Sequence, residues 1–294
     1  MKKLHDNIRR VGVVANPEKA AGRNVVRRAV ALVQATGREV CAEAATAAMA
    51  GLTVPQAPGT LALARRCELL LVFGGDGTML RVAREAAGTA TPLLGINLGG
   101  LGFLTTSSAR QVERTLSLAW SGQCWVDTRS LIKARGKGRS GAVLELALND
   151  FVISHGTVPR LIELEVKVDG ELLTSYRGDG LIVSSPTGST AYSLAAGGAV
   201  VSPRADVFTV TPICPHTLSS RSVIVSLDAR VEVRLLSERV ETFLAADGQP
   251  KAELRTGDTL EFRRSRQMAH LVRLPGASFF ETLRQKLNWS GSSV

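Results

Sequence analysis

The sequence has no long hydrophobic run from which a membrane span could form. Its longest apolar stretches, such as Leu69 to Phe73, have the length of a strand, far below the roughly 20 residues that a spanning helix needs. The apolar run behind the basic segment Met1 to Arg10 ends at Ala15, which is too short for the core of a signal peptide. We therefore expect a cytoplasmic protein that has no membrane partner.

Cysteine is also scarce. The four cysteines lie far apart along the 294 residues and form no Cys-x-x-Cys pair. This spacing argues against a zinc site and against a disulfide framework in a chain of this length. We expect reduced thiols, and we predict no metal site built from protein side chains alone.

Aromatic residues make up only 4% of the chain, although its formal net charge is +10. A basic protein can attract nucleic acid, a membrane surface or small anions. The basic residues stand in short scattered groups, such as Arg27-Arg28 and Lys133 to Arg139, without interleaved aromatics. We expect solvated charge with some attraction for phosphate-bearing ligands and no nucleic-acid partner. A basic nucleic-acid-binding module stays open as an alternative of another class.

Strand and helix patterns alternate in the first third of the chain, which favours an α/β layer. Strand patterns occupy residues 10–15, 68–73 and 92–96, and helical patterns occupy residues 20–36 and 78–87. Because residues 68–73 are continuously apolar, we expect a strand that is buried on both faces, as in a parallel sheet.

The pattern changes from about Trp125 onward. Residues 161–168 alternate between apolar and polar and are followed by Asp169-Gly170, which is a hairpin signal. Residues 279–288 return to helical spacing. We predict an N-terminal doubly wound α/β domain over residues 1–124 and a mainly β, two-layer sandwich domain over 125–274. A helical tail over 275–294 is expected to pack back on the first domain.

The segment Gly74-Gly75-Asp76-Gly77-Thr78 stands between the buried strand and the next helix. Its glycines allow a sharp turn with open N–H groups, and the helix start adds a partial positive charge that suits phosphate. A carboxylate there would repel that ligand, so Asp76 needs a chemical role, such as accepting a hydroxyl proton or holding a metal. The alternative is a plain strand-to-helix turn with a capping aspartate.

This loop lacks the lysine of a Walker P-loop, and its spacing differs from the dinucleotide-binding Gly-x-Gly-x-x-Gly pattern. It resembles instead the phosphate-binding loop shared by NAD kinases, diacylglycerol and sphingosine kinases, and phosphofructokinases. That resemblance implies a kinase and leaves the acceptor open.

Segments further along the chain narrow the choice of the molecule that accepts the phosphoryl group. They are the glycine-rich strand exit at residues 95–105, Leu148-Asn149-Asp150, residues 177–180, residues 185–198, residues 212–219, Asp247-Gly248-Gln249 and the tail from Phe279 to Trp289. In this order they resemble the bacterial NAD kinase family over nearly the whole chain. The expected activity is phosphorylation of the 2′-hydroxyl of the adenosine ribose of NAD. A lipid or sugar kinase with the same loop stays the alternative among enzymes.

The resemblance implies roles for single residues. Asp76 matches the general base, and the donor phosphates are expected over Gly74, Gly75, Gly77 and Thr78, with Asp76 and Gly77 also touching NAD. Asn149 and Asp150 match an Asn-Glu pair that holds adenine and ribose. Asp150 is one methylene shorter than the usual glutamate, so this sequence departs from the family pattern at the ribose contact.

A further stretch is expected to wrap the nucleotide, although a Ser/Thr-capped helix is the alternative there. Its residues are Thr190, Ala191, Tyr192, Ser193, Leu194 and Ala195.

Further correspondences concern isolated polar residues. They are Arg81, Arg160, Arg177, Asp179 and Gln249, and without the family each arginine would be taken for a surface residue. The resemblance also implies ATP as co-substrate, a divalent cation, Mg²⁺ by preference, and a homodimer or homotetramer. It leaves open the range of donors and the use of NADH.

Overall fold

The computed structural model describes residues 2–5, 7–19, 22–100, 102–158, 160–217 and 219–289. The strands are β1 (Lys2–Lys3), β2 (Arg10–Ala15), β3 (Glu39–Glu43), β4 (Gln56–Ala57), β5 (Leu69–Gly74), β6 (Leu93–Asn97), β7 (Ser107–Ser108), β8 (Trp125–Gly138), β9 (Gly141–Ala147), β10 (Asp150–His155), β11 (Ile162–Val168), β12 (Glu171–Gly178), β13 (Gly180–Ser184), β14 (Val207–Ile213), β15 (Val223–Ser226), β16 (Val231–Leu235), β17 (Thr242–Ala246), β18 (Gln249–Leu254) and β19 (Thr259–Arg273).

The helices are α1 (Gly22–Gln34), α2 (Ala44–Ala50), α3 (Thr60–Ala64), α4 (Asp76–Glu85), α5 (Val112–Trp120), α6 (Tyr192–Ala195) and α7 (Phe279–Lys286). Short 3₁₀ turns cover Ala109–Gln111 and Gly188–Thr190. Within the described ranges, every helix is too short or too polar to span a bilayer.

The chain divides into two compact units. Unit 1 comprises residues 1–128 and 268–294, and unit 2 comprises residues 129–267. The chain passes from one unit to the other within β8 and again within β19. The sequence-based boundaries after residues 124 and 274 differ from these points, because strands that continue across a boundary leave no linker composition to read.

Unit 1 is built on a parallel sheet with the strand order β6-β5-β2-β3-β4. All six residues of β5 are buried, as expected for a central strand that is covered on both faces. Helix α7 belongs to this unit, and its first residue, Phe279, places its ring 6.4 Å from the ring of Phe103. The prediction that the tail packs back on the α/β part is confirmed.

Unit 2 is mainly β and has one core between two sheets. One sheet has the order β15-β14-β13-β10-β17-β18, and the other contains β12, β11, β16 and the first part of β19. Phe151 of the first sheet and Phe262 of the second meet with ring centroids 5.3 Å apart inside a shared apolar cluster. The predicted sandwich is therefore confirmed.

Candidate functional site

The glycine loop lies at the carboxyl end of β5, where α4 begins. Gly75 precedes the helix in an extended conformation, and Asp76 is the first helical residue. A side chain on Gly74 would overlap Thr78, which folds back over the turn, so only glycine fits there. Gly77 is exposed, and nothing lies within 4 Å of the position of its missing Cβ. The first turn of α4 therefore presents an accessible helix N-terminus suited to phosphate.

The neighbouring strand β6 carries the second glycine-rich loop to the same edge of the sheet. Gly74 of β5 pairs with Asn97 of β6 in parallel register. The Asn97 side chain holds the loop together, since its amide nitrogen donates to the Gly100 carbonyl at 2.8 Å and its oxygen accepts from the Gly99 N–H. The two glycine-rich loops therefore leave the sheet at the same edge, from neighbouring strands.

The Asp76 carboxylate connects these two loops. Its Oδ2 accepts a hydrogen bond from the Phe103 N–H at 2.8 Å, and its Oδ1 accepts from the Leu104 N–H at 3.1 Å. A side chain on Gly102 would overlap the same carboxylate, so the loop can close over Asp76 only because residue 102 is glycine. A carboxylate has about four lone-pair sites, so acceptor capacity remains for a substrate hydroxyl.

One basic residue beside these loops was not singled out from the sequence. Lys19 follows β2, and its Nζ lies 3.9 Å from the position that a Cβ would occupy on Gly75 and on Gly99. The signal that could have found it is the Asn16-Pro17 turn, which marks the carboxyl end of the strand next to β5.

In unit 2, the segment Leu148-Asn149-Asp150 is fixed by one carboxylate. Asp247, in the turn between β17 and β18, accepts from the N–H groups of all three residues at 3.0, 2.7 and 3.2 Å. On the other side, Ser185 donates its hydroxyl to the Leu148 carbonyl at 2.5 Å. The backbone that presents Asn149 and Asp150 is therefore held rigidly.

Asn149 keeps one acceptor without a partner. Its Oδ1 is buried and receives no hydrogen bond within the described part of the chain. Buried acceptors are nearly always satisfied, so an exception of this kind points to a ligand that supplies the donor. The family resemblance implies that Asn149 holds adenine, and an acceptor without a partner has the chemistry for that contact.

Asp150 is 4% exposed, and its ionisation is shifted. Burial, and after it the negative charge of Asp247, raises the pKa of Asp150 to about 7. The carboxyl group thus changes its charge near neutral pH, where an ordinary aspartate is fully ionised.

The turn that leads into the stretch predicted to wrap the nucleotide lies against the Asn149 backbone. A side chain on Gly188, two residues before Thr190, would overlap Asn149, so the two segments touch. Tyr192 is 46% exposed and open to a ligand. The Ser193 hydroxyl is instead buried, within hydrogen-bond distance of the Thr209 and Thr211 hydroxyls. Of Tyr192 and Ser193, Tyr192 is the one that presents its side chain outward.

The single chain thus carries a glycine-loop carboxylate in unit 1 and an orphaned amide acceptor in unit 2. Residues 11–123 match the model of the ATP-NAD kinase N-terminal domain, and residues 148–274 match that of the ATP-NAD kinase C-terminal domain. The chain belongs to the NAD kinase family. This membership separates it from the lipid and sugar kinases that share the glycine loop.

Curated relatives carry the same family name. The chain is 39% identical to the NAD kinase of Moorella thermoacetica over 285 residues, covering 97% of this chain and 91% of the relative. It is 42% identical to that of Geotalea daltonii over 226 residues, covering 76% and 79%.

Solved structures of NAD kinase relatives share the fold. A yeast NADH kinase complexed with NADH superposes with a TM-score of 0.88 at 25% identity, over 97% of this chain and 89% of that one. An Archaeoglobus fulgidus NAD kinase in complex with ATP gives 0.75 at 26% identity, over 96% and 100%.

The remaining family-based residues have varied surroundings. The Arg81 guanidinium already contacts Glu43 at 3.3 Å and Glu85 at 2.8 Å, so two carboxylates occupy it. Asp179 lies 3.9 Å from the His155 ring nitrogen Nε2. The other three residues are exposed at strand ends or in loops: Arg160, Arg177 and Gln249. Their contacts with NAD stay predictions.

Proposed function

We propose that this protein transfers the terminal phosphoryl group of ATP to the 2′-hydroxyl of the adenosine ribose of NAD, giving NADP and ADP. The observation that carries the proposal is the position of Asp76, an acceptor carboxylate in the first turn of a phosphate-binding helix. A yeast relative was solved with NADH and an archaeal relative with ATP. These two complexes support the choice of both substrates.

In the proposed reaction, the ribose hydroxyl donates its proton to Asp76 as its oxygen attacks the terminal phosphorus. The bond to the bridging oxygen breaks, and ADP leaves with that oxygen. The protein stabilises the transition state of phosphoryl transfer mainly by aligning the reacting groups and by neutralising charge. The Gly77 N–H is proposed to bind the phosphate oxygens, because it lies in the exposed first turn of α4, whereas the Thr78 N–H already donates to the Gly75 carbonyl at 3.1 Å.

NAD is proposed to contact Asn149, Asp150 and the stretch from Thr190 to Ala195. The orphaned Oδ1 of Asn149 would accept from the exocyclic amino group of adenine, and this pairing supports the assignment. Ionised Asp150 would accept from ribose hydroxyls. We retain Arg81, Arg160, Arg177, Asp179 and Gln249 as further predicted contacts.

A divalent cation, Mg²⁺ by preference, is proposed to enter with the ATP phosphates. Within the described residues, no three His, Cys, Asp or Glu side chains cluster as metal ligands. The only carboxylate in the glycine loop is Asp76, which could add one oxygen to a cation that the phosphates already hold. The cation would neutralise charge on the donor. A cytoplasmic location and a homo-oligomeric state stay predictions, to be checked by cell fractionation and by light scattering.

Asp76→Asn tests the proposal directly. NADP formation, followed in a coupled assay, should fall by about 100- to 10,000-fold because the proton acceptor is lost. Binding of NAD, measured by calorimetry, should change little. Near-normal turnover in this variant would remove Asp76 from the mechanism.

A donor and acceptor panel tests the substrates. The same assay, run with NAD or NADH and with ATP, other triphosphates or polyphosphate, should give the highest rate with a nucleoside triphosphate. If NADP or NADPH forms with none of these pairs, the proposed function is wrong.

A further inference from the structure

Lys19 brings a positive charge to the two glycine loops of unit 1 from a third loop. Its Nζ lies 3.9 Å from the Cβ positions of both Gly75 and Gly99. Among the residues that the structure describes, none forms an ion pair or a side-chain hydrogen bond with this ammonium. A lysine on a protein surface is usually solvated, but this one stands beside two loops whose missing side chains leave room for a ligand.

The position of Lys19 is fixed by backbone contacts to the strand that carries the phosphate loop. The Asn16 N–H donates to the carbonyl of Phe73, the residue before Gly74, at 3.0 Å. Asn16 then closes a turn, because its side chain accepts from the Glu18 N–H at 3.0 Å and its carbonyl accepts from the Lys19 N–H at 3.2 Å. The Lys19 backbone is therefore tied to the end of β5.

The phosphate loop itself contains no basic residue. Its only charged side chain is that of Asp76, which is negative. Donor phosphates bound there would meet a carboxylate and helix N–H groups without a nearby protein cation, unless Lys19 supplies one. An ammonium group suits this task because it has three N–H donors on a flexible side chain. It can therefore keep its hydrogen bonds to the phosphate oxygens while negative charge moves among them during the transfer.

We propose that Lys19 binds the outer phosphates of the donor and is a catalytic residue of the transfer. It would supply, from the loop after β2, the positive charge that the loop after β5 lacks. This inference rests on the proposed function and deepens it, because it names the residue that neutralises the donor.

Lys19→Met is the decisive variant, with Lys19→Arg as the conservative partner and the exposed Lys3→Met as a charge-matched control. Loss of a charge-assisted contact should lower kcat/KM for ATP by about 10- to 100-fold. The KM for NAD should stay unchanged. Lys19→Arg should recover most of the loss, and Lys3→Met should behave as the wild type.

Inorganic tripolyphosphate separates a phosphate contact from an adenine contact. Its dissociation constant, measured by calorimetry in the presence of Mg²⁺, should rise in Lys19→Met by the same factor as kcat/KM for ATP falls. Unchanged ATP kinetics and unchanged tripolyphosphate binding in Lys19→Met would overturn the proposal. A rise in the KM for NAD alone would also overturn it, because Lys19 would then contact NAD and not the phosphates of ATP.

These outcomes differ from a failure of the proposed function. If the wild type forms no NADP with any donor, the assignment of the reaction fails. The calorimetric comparison of the wild type and Lys19→Met then still decides whether Lys19 binds phosphate.

Discussion

At the scale of single residues, Asp150 ties the stability of unit 2 to pH. Its pKa is about 7 in the folded chain because of burial and the charge of Asp247, against an ordinary value of 3.8. A carboxyl group whose folded pKa is raised favours the folded state below its unfolded pKa. That contribution is lost as the pH rises through the folded value.

Asp150→Asn should therefore stabilise the protein at alkaline pH. At about pH 3 the two proteins should be similarly stable, because the Asp150 carboxyl is then neutral in both the folded and the unfolded state. Above about pH 8 the variant should gain a free energy of unfolding of up to about 4 kcal/mol, as expected for a shift of roughly three pKa units. Urea unfolding at both pH values measures the difference. A gain of equal size at both would contradict the raised pKa.

Asp247 acts on the same segment through its backbone. Asp247→Asn leaves one carbonyl oxygen as acceptor and turns an NH₂ group toward an N–H of residues 148–150. We expect the KM for NAD to rise by about tenfold, because at least one of the three hydrogen bonds is lost. The KM for ATP should not change. NAD binding is proposed to need ionised Asp150, so it should weaken as the pH falls through the pKa of Asp150. In Asp247→Asn this midpoint should lie at a lower pH, since the charge of Asp247 no longer raises the pKa of Asp150.

Asp169→Asn is the matched control for this variant. Asp169 also adopts a left-handed conformation before a glycine, and its carboxylate accepts from the Arg230 N–H at 2.7 Å. It lies in the turn between β11 and β12, at the end of the hairpin opposite to the predicted contact Arg177, and the turn itself carries none of the proposed NAD contacts. If the two variants alter the KM for NAD equally, Asp247 has only a general role in stability.

At the scale of elements, Gly102 decides whether the loop after β6 can close over Asp76. Gly102→Ala should displace the carboxylate or the loop, because the added methyl group overlaps the Asp76 side chain. We expect kcat to fall by at least about tenfold, since catalysis is sensitive to small misplacements of a reacting group. Gly100→Ala is the control from the same loop, because its Cβ would point into open space. Equal kcat values for the two variants would show that closure of this loop over Asp76 does not affect turnover.

The elements that carry the loops could be predicted from sequence because their signals are local. The apolar run of β5 and the glycines that follow it lie within ten residues of each other. Helix α4 begins at Asp76, whereas the pattern predicted residue 78, since helix starts are poorly marked by periodicity. The stretch from Thr190 to Ala195, for which a capped helix was the alternative, contains the end of a 3₁₀ turn and a four-residue helix, interrupted at Ala191.

Contacts between distant segments could not be predicted in this way. Lys19 reaches the glycine loops, and Asp247 binds a segment almost one hundred residues earlier, only because the sheets bring their strand ends together. The Asn149 backbone likewise packs against Gly188, which is distant in the sequence. The family resemblance named Asn149 and Asp150, and the structure adds the residues that hold them.

At the scale of the whole molecule, the net charge of +10 should assist the capture of anionic substrates. Salt screens charges beyond about 10 Å at 0.1 M ionic strength, so long-range attraction weakens as salt is added. We expect kcat/KM for ATP to fall several-fold when KCl is raised from about 20 to about 300 mM, with a smaller change in kcat. Steady-state assays at fixed Mg²⁺ measure both quantities.

The same salt series tests the alternative that the positive charge serves nucleic acid. A protein that neutralises many backbone phosphates binds DNA or RNA with a steep salt dependence and releases counterions. We expect no retention of duplex DNA or RNA at about 150 mM KCl, a salt concentration at which NAD should still raise the unfolding temperature. Tight, steeply salt-dependent retention without stabilisation by NAD would instead assign the basic surface to nucleic acid. The scattered placement of the basic groups and the low aromatic content argue for the first outcome, because nucleic-acid surfaces concentrate both on one face.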